Sequence, residues 1–245
     1  FYGDSALMIP HHPAWVGKEA KAGTWKPEGG PDPSTIEINS HHGSSEFYNN
    51  PYIIHNRTEQ QVSEHSGGFV TYALNNESLK SGIIGGGDNH YAIPGTTAVQ
   101  SGSNSDLYRP GLQATMSKDL TRDALFEEQQ QRHTYATTGE RIILFTKIDK
   151  ARMGDEISLS QPPLIDIYVV GTTDLLRVEL IRDGEVIQTW DDLTDRASLK
   201  YTDYDITNGE HNYYVRVTQD DYFGQDVIGN DLHSTAWSSP IWVDY

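Results

Sequence analysis

Residues 175–190, LLRVELIRDGEVIQTW, read as two strands folded back on each other at Asp183-Gly184. Apolar and polar residues alternate on both sides of that pair, the period of a strand with one buried face. An Asp-Gly dipeptide between two such runs favours the two-residue turn whose twist matches a hairpin. The pattern continues outward in both directions: RIILFTKID (141–149), LIDIYVV (164–170), ASLKYTDY (197–204), HNYYVRVTQ (211–219) and SSPIWVDY (238–245). Strands of this length, rich in β-branched and aromatic residues and separated by turn residues, predict a β-sandwich over residues 141–245.

The chain before residue 141 has a different texture. ALMIP (6–10), TIEI (35–38) and GIIGG (82–86) are short apolar runs that each lead into a His, Glu or Asp. Buried parallel strands whose carboxyl ends carry polar groups look like this. Between them, residues 67–82 predict a helix with Phe69, Val70, Ala73 and Leu74 on one face and Gly82 as its stop. A second helix is expected within 117–133, capped by Thr121, with Asp123 at its positive end and a weak apolar face from Ala124 and Leu125. The change of pattern at 138–142 marks the expected domain boundary, giving an α/β region over 1–140 followed by the sandwich.

Composition narrows the chemistry. Lys plus Arg is 18 and Asp plus Glu is 35, so the formal charge is 18 − 35 = −17. Phosphate backbones and anionic membranes need clustered Lys and Arg, so neither nucleic acid nor membrane is expected as a partner. The absence of cysteine removes disulfides, cysteine–zinc sites and thiol nucleophiles. No run approaches the roughly 18 apolar residues that mark a transmembrane helix. The sequence opens FYGDSALMIP, without an initiating Met. Together with the acidity and the lack of cysteine, this leads to the expectation of a processed, exported protein, periplasmic or secreted.

Of the ten histidines, eight precede residue 141. His11 and His12 follow ALMIP, and His41 and His42 follow TIEI. Glu37 sits inside an apolar strand, where a lone carboxylate is costly to bury unless it is paired or holds a cation. Asp88 and His90 stand at i and i+2 after the glycines of IIGGGDNHYAIPG (83–95), a spacing that points two side chains the same way in extended backbone. Those glycines do not make a phosphate loop. His90 occupies the third glycine position of G-x-G-x-x-G, and G-K-[ST] is missing. There is also no G-x-S-x-G nucleophile elbow. Three strand ends delivering His, Glu or Asp suggest a site for Zn, Mn or Fe. Two such ions close together would generate a metal-bound hydroxide and hold the substrate oxygen it attacks.

HHPAW (11–15), IEINSHHGSSE (36–46), GIIGGGDNHYAIPG (82–95) and QQRHTYATTGERI (130–142) occur in that order, and YYVRVTQ (213–219) and AWSSPIWV (236–243) close the chain. This set resembles the PHP metallohydrolases, named for polymerase and histidinol phosphatase, and within them the DUF3604-like branch. The resemblance implies the C-terminal part of a distorted (β/α)7 barrel at 1–140, with two or three divalent transition-metal ions at the strand ends. It implies that His12, Glu37, Asp88 and His90 are metal ligands, with His11 a close second choice to His12. It places His42 at the family's His-Gly position, and Arg141 near the pocket. His42 and His11 are expected to act as ligands or proton shuttles. The family's opening His-x-His is absent, so an N-terminal portion, as a separate chain or docked fragment, is the expected partner that completes the site.

The function expected from these residues is metal-dependent hydrolysis of a phosphoester or a carbamate- or amide-like bond in a small-molecule substrate. The alternative is a binding or scaffolding protein that keeps the fold without the chemistry. Sugar binding through Trp190, Trp237 and Trp242 is the weakest reading, because aromatics in sandwiches more often fill cores than form platforms.

Overall fold

The computed structural model describes residues 6–14, 25, 32–52, 67–88, 109–225 and 229–245. In chain order the elements are β1 (Thr35–Ser40), β2 (Gly43–Ser44), α1 (Val70–Asn76), β3 (Gly82–Gly85), β4 (Leu112–Thr115), α2 (Arg122–Gln130) and β5 (Thr134–Thr137). There follow β6 (Ile143–Ile148), β7 (Ala151–Arg152), β8 (Glu156–Ser158), β9 (Leu164–Val170), β10 (Leu175–Arg182), β11 (Glu185–Leu193) and β12 (Arg196–Thr202). The last are β13 (Glu210–Gln219), β14 (Gly224–Gln225), β15 (Asp231–Leu232), β16 (Thr235–Ser238) and β17 (Ile241–Asp244).

The expected (β/α)7 barrel segment is not there; the described residues are dominated by strands. A barrel of that kind alternates parallel strands with covering helices. Here α1 and α2 are the two helices among the described residues, and α2 buries no side chain. In the first region one parallel pair forms, β1 with β3. β4 and β5 instead pair antiparallel with each other, and β5 pairs with β16. ALMIP (6–10) forms no strand, although the Pro10 carbonyl accepts one hydrogen bond from the Glu37 N–H at 3.2 Å. The barrel was implied by the family resemblance; the apolar runs themselves do not decide it, because a strand buried on both faces reads the same whether its neighbours are parallel or antiparallel.

A four-stranded sheet, β12-β9-β6-β7, faces an eight-stranded sheet with the path β11-β10-β13-β16-β5-β4. Leu144, Ile148, Ile165, Ile167 and Val169 from the first pack against Val178, Leu180, Tyr213, Val215 and Val217 from the second. β6 shows the strict alternation of a one-sided strand, exposed and buried in turn. The hairpin at Asp183-Gly184 forms between β10 and β11, with both residues at positive φ (52° and 82°) as a type I′ turn requires.

The other face of the eight-stranded sheet is also covered. Ile36 and Ile38 of β1, Val70, Ala73 and Leu74 of α1 and Ile83 of β3 share a core with Ile181, Tyr214, Trp237 and Trp242. β13 is therefore buried on both sides, with Tyr213, Val215 and Val217 turned to one core and Tyr214 and Arg216 to the other. Trp237 and Trp242 are core residues, 1% and 3% exposed, so neither offers a sugar platform.

Helix α1 uses the expected apolar residues but stops earlier than Gly82. It ends at Asn76, Ser78 takes a left-handed φ of 48°, and Gly82 begins β3. Helix α2 has the expected cap, since the Thr121 hydroxyl accepts from the Ala124 N–H at 3.2 Å. No helix among the described residues is long and apolar enough to cross a membrane.

Candidate metal centre

Two histidine pairs and one aspartate converge beyond the carboxyl ends of β1 and β3. Consecutive residues in a strand point to opposite faces, which would turn only one ring of each His-His pair inward. Neither pair lies in a strand. His41 and His42 occupy the turn between β1 and β2, and their ring centroids are 4.1 Å apart. His12 adopts a left-handed φ of 28°, which folds its ring back to 3.8 Å from that of His11. The His12 and His42 rings then meet edge-on at 5.2 Å, joining the pairs.

Asp88 lies between them. Its Oδ1 is 3.1 Å from His11 Nε2; its Oδ2 is 2.8 Å from His42 Nε2 and 3.4 Å from His41 Nε2. Two groups of metal-competent atoms result, His11–His12–Asp88 and His41–His42–Asp88, with the donor atoms of each within 4.8 Å of one another. Asp88 has φ 42°, a left-handed conformation that Asp tolerates better than most residues. The preceding glycines do not supply a left-handed turn, since none of Gly85, Gly86 and Gly87 has positive φ. They supply room: a Cβ on Gly85 would sit 2.7 Å from the Leu112 carbonyl oxygen, and one on Gly86 would sit 1.9 Å from Glu37 Oε2.

The outer nitrogens are also engaged. His41 Nδ1 lies 3.1 Å from the Gly87 carbonyl oxygen, which only accepts, so that nitrogen carries hydrogen and Nε2 faces Asp88. His11 Nδ1 lies 2.8 Å from Glu37 Oε1, which also accepts the His12 backbone N–H at 3.0 Å. Glu37 is 5% exposed and belongs to neither group of metal-competent atoms. Two residues along β1, Asn39 is 1% exposed with neither side-chain amide atom hydrogen-bonded. This is an unmet polar demand on the strand that carries the site, of the kind that costs about 1–3 kcal/mol.

Burial, reinforced by the charges of His41 and His12, depresses the His42 pKa to about 4. His12 is lowered by burial and by the charge of His11. Burial also works against charge on His11, yet the hydrogen bond and charge of Glu37, with Asp88, outweigh it and raise its pKa. Burial disfavours the Asp88 carboxylate, but the surrounding imidazoles pull its pKa below the usual range.

These directions give a pH prediction for the metal-free protein. An unfolded His42 takes up its proton near pH 6.5 and the folded one only near pH 4, so acidification across that window favours unfolding. The contribution is at most ~3 kcal/mol. Urea unfolding of the chelator-treated parent should therefore lose stability faster between pH 6.5 and 4 than His42→Asn does; parallel slopes would contradict the assignment.

Four of the eight early histidines thus come together. His133 does not join them: it is 2% exposed and bridges Glu128 of α2 and Asp155 at 2.5 and 2.9 Å. His55, His65 and His90 lie outside the described residues. Glu46, four residues after His42, is directed to Arg216, Tyr214 and Trp237. Arg141 is solvent-exposed. His41 was noted after TIEI but given no role, and the Gly87 carbonyl that holds it left no signal in the sequence.

No family model matches the chain. It is similar to an uncharacterized protein of Chlamydia pneumoniae, 34% identical over 229 residues, covering 85% of this chain and 34% of that protein. Similar uncharacterized proteins of Chlamydia muridarum and Chlamydia trachomatis are each 32% identical, with the same coverage. The chain spans about a third of the length of these curated relatives. Among solved structures, fibronectin(III)-like modules of Clostridium thermocellum CbhA align over 40% of this chain and 96% of theirs, at 20% identity and a TM-score of 0.26. A lytic polysaccharide monooxygenase of Jonesia denitrificans aligns over 37% of this chain and 57% of its own, at 21% identity and a TM-score of 0.24.

Proposed function

We propose that the His11–His12–His41–His42–Asp88 cluster is a divalent transition-metal centre, and that the chain is part of a metal-dependent hydrolase. Its target is a phosphoester or a carbamate- or amide-like bond in a small substrate. The observation that supports this best is the position of Asp88, whose two oxygens face separate histidine pairs. Imidazole nitrogens crowded around one carboxylate suit Zn, Mn or Fe, and the depressed pKa values of His42 and His12 keep both rings neutral near pH 7, each with one unprotonated nitrogen able to bind a cation. Asn39, buried with its amide unsatisfied, adds polar character to the same strand.

When bound, such an ion acidifies water and polarises the bond to be cut. The chain's own residues do the rest. Gly87 fixes the tautomer of His41 through its carbonyl, and Asp88 ties the two pairs into one site. His11, whose side chain is 42% exposed, forms the open rim from which a substrate approaches. The net charge of −17 favours a small substrate over a polyanion. The longer relatives leave space for a further segment that contributes ligands.

The test is turnover of an aryl phosphate and an aryl carbamate by metal-depleted protein resupplied with Zn(II), Mn(II) or Fe(II). Metal-dependent hydrolysis of either, abolished by chelator, supports the proposal. A metal-loaded protein that cleaves neither, supplied with the remaining length of the relatives' chain, favours the scaffolding alternative.

A further inference from the structure

Glu37 stands close enough to the cluster to be taken for a ligand, yet its geometry is that of a support. Its Oε1 is occupied twice, by His11 Nδ1 at 2.8 Å and by the His12 N–H at 3.0 Å. Its Oε2 lies against Gly86, where an added Cβ would come within 1.9 Å. Neither oxygen falls within the groups whose atoms converge around Asp88. A carboxylate that accepts from the outer nitrogen of an imidazole fixes the ring's tautomer and aims its other nitrogen inward. On His11 that other nitrogen, Nε2, faces Asp88 at 3.1 Å. Holding the His12 N–H with the same oxygen also clamps the left-handed residue that folds the second ring into place.

We infer that Glu37 is a positioning residue that orients His11 and His12 toward the metal from outside the ligand set, and that Gly86 is glycine because the Glu37 carboxylate occupies its side-chain space. This inference rests on the metal-centre reading above.

The prediction is specific for Co(II), titrated into the 245-residue chain and followed by its visible absorption. Glu37→Ala should weaken binding about ten- to a hundredfold, the usual effect of losing an outer partner. The number of ions at saturation and the absorption band positions should stay those of the parent. Glu37→Gln keeps an oxygen able to accept both hydrogen bonds and should recover part of the loss. Gly86→Ala should weaken binding like Glu37→Ala, because its methyl group displaces the carboxylate. Circular dichroism on each variant separates these effects from unfolding.

An ion lost at saturation, or a shifted band in Glu37→Gln, would make Glu37 a ligand and overturn the inference. Parent-like affinity in Glu37→Ala would also overturn it, leaving the metal centre itself intact. If the parent bound no Co(II) even when supplied with the remaining length of the relatives' chain, the metal-centre reading would fall first and this inference with it.

Discussion

Asp88→Ala should remove metal from both histidine pairs at once. Each pair faces a different oxygen of the same carboxylate, at 3.1 Å on one side and 2.8 Å on the other, so no half of the site survives its loss. Calorimetric titration with Zn(II) should show affinity falling by more than about a hundredfold, beyond the range for an outer partner. The protein should remain folded, because Asp88 lies beyond the end of β3 and outside both hydrophobic cores. His42→Ala, by contrast, should impair one pair and leave His11, His12 and Asp88 able to bind. Retention of one parent-affinity ion in Asp88→Ala would mean that the carboxylate does not join the two groups.

The second large effect concerns stability. Glu46 is 1% exposed and accepts from Arg216 Nη1 at 2.7 Å, the Tyr214 hydroxyl at 2.9 Å and Trp237 Nε1 at 2.7 Å. Arg216 also donates through Nε to Glu179 at 2.8 Å, and its guanidinium lies 5.2 Å from the centroid of the Phe47 ring. Burial resists the charge on Arg216, but Glu46 and Glu179 more than offset it and raise its pKa. Arg216→Met leaves two carboxylates in a buried setting with no cation between them, and breaking such a pair from one side costs about 3–5 kcal/mol. Urea unfolding of the variant should show a midpoint lowered accordingly. Glu46→Gln, which removes charge but keeps oxygen and amide groups for hydrogen bonding, should cost less than Arg216→Met. A near-neutral Arg216→Met would show that Tyr214 and Trp237 suffice for Glu46.

This network also shows why the composition change at 138–142 is a poor guide to how the chain packs. Glu46, just after β2, is held by residues of β13 and β16, and the eight-stranded sheet takes β4 and β5 from before residue 141. The alternating strands after 141, the Asp183-Gly184 turn, the Thr121 cap and the strand character of TIEI and GIIGG were legible because each rests on local chemistry. What local chemistry does not encode is the partner of a doubly buried strand. TYAT at 134–137 is buried throughout and reads alike in a barrel or in the middle of an antiparallel sheet.

The site shows the same division. Asp88 was singled out as a polar residue just past an apolar strand and His42 through the resemblance, whereas Glu37, expected as a ligand, belongs to neither group of metal-competent atoms. That both members of each histidine pair turn inward depends on the left-handed φ of His12 and the turn at His41–His42, conformations set by tertiary packing. Glu46 lies four residues from His42 in sequence, yet its partners Tyr214, Arg216 and Trp237 lie 168, 170 and 191 positions away, a separation no spacing argument reaches.

Metal bound at Asp88 between the two histidine pairs would be visible by diffraction from crystals grown with Zn(II), with data collected on both sides of the zinc absorption edge. An anomalous peak is expected about 2.0–2.2 Å from an Asp88 carboxylate oxygen and from an imidazole nitrogen of at least one histidine pair. A saturated crystal with zinc peaks elsewhere and none within coordination distance of Asp88 would contradict it.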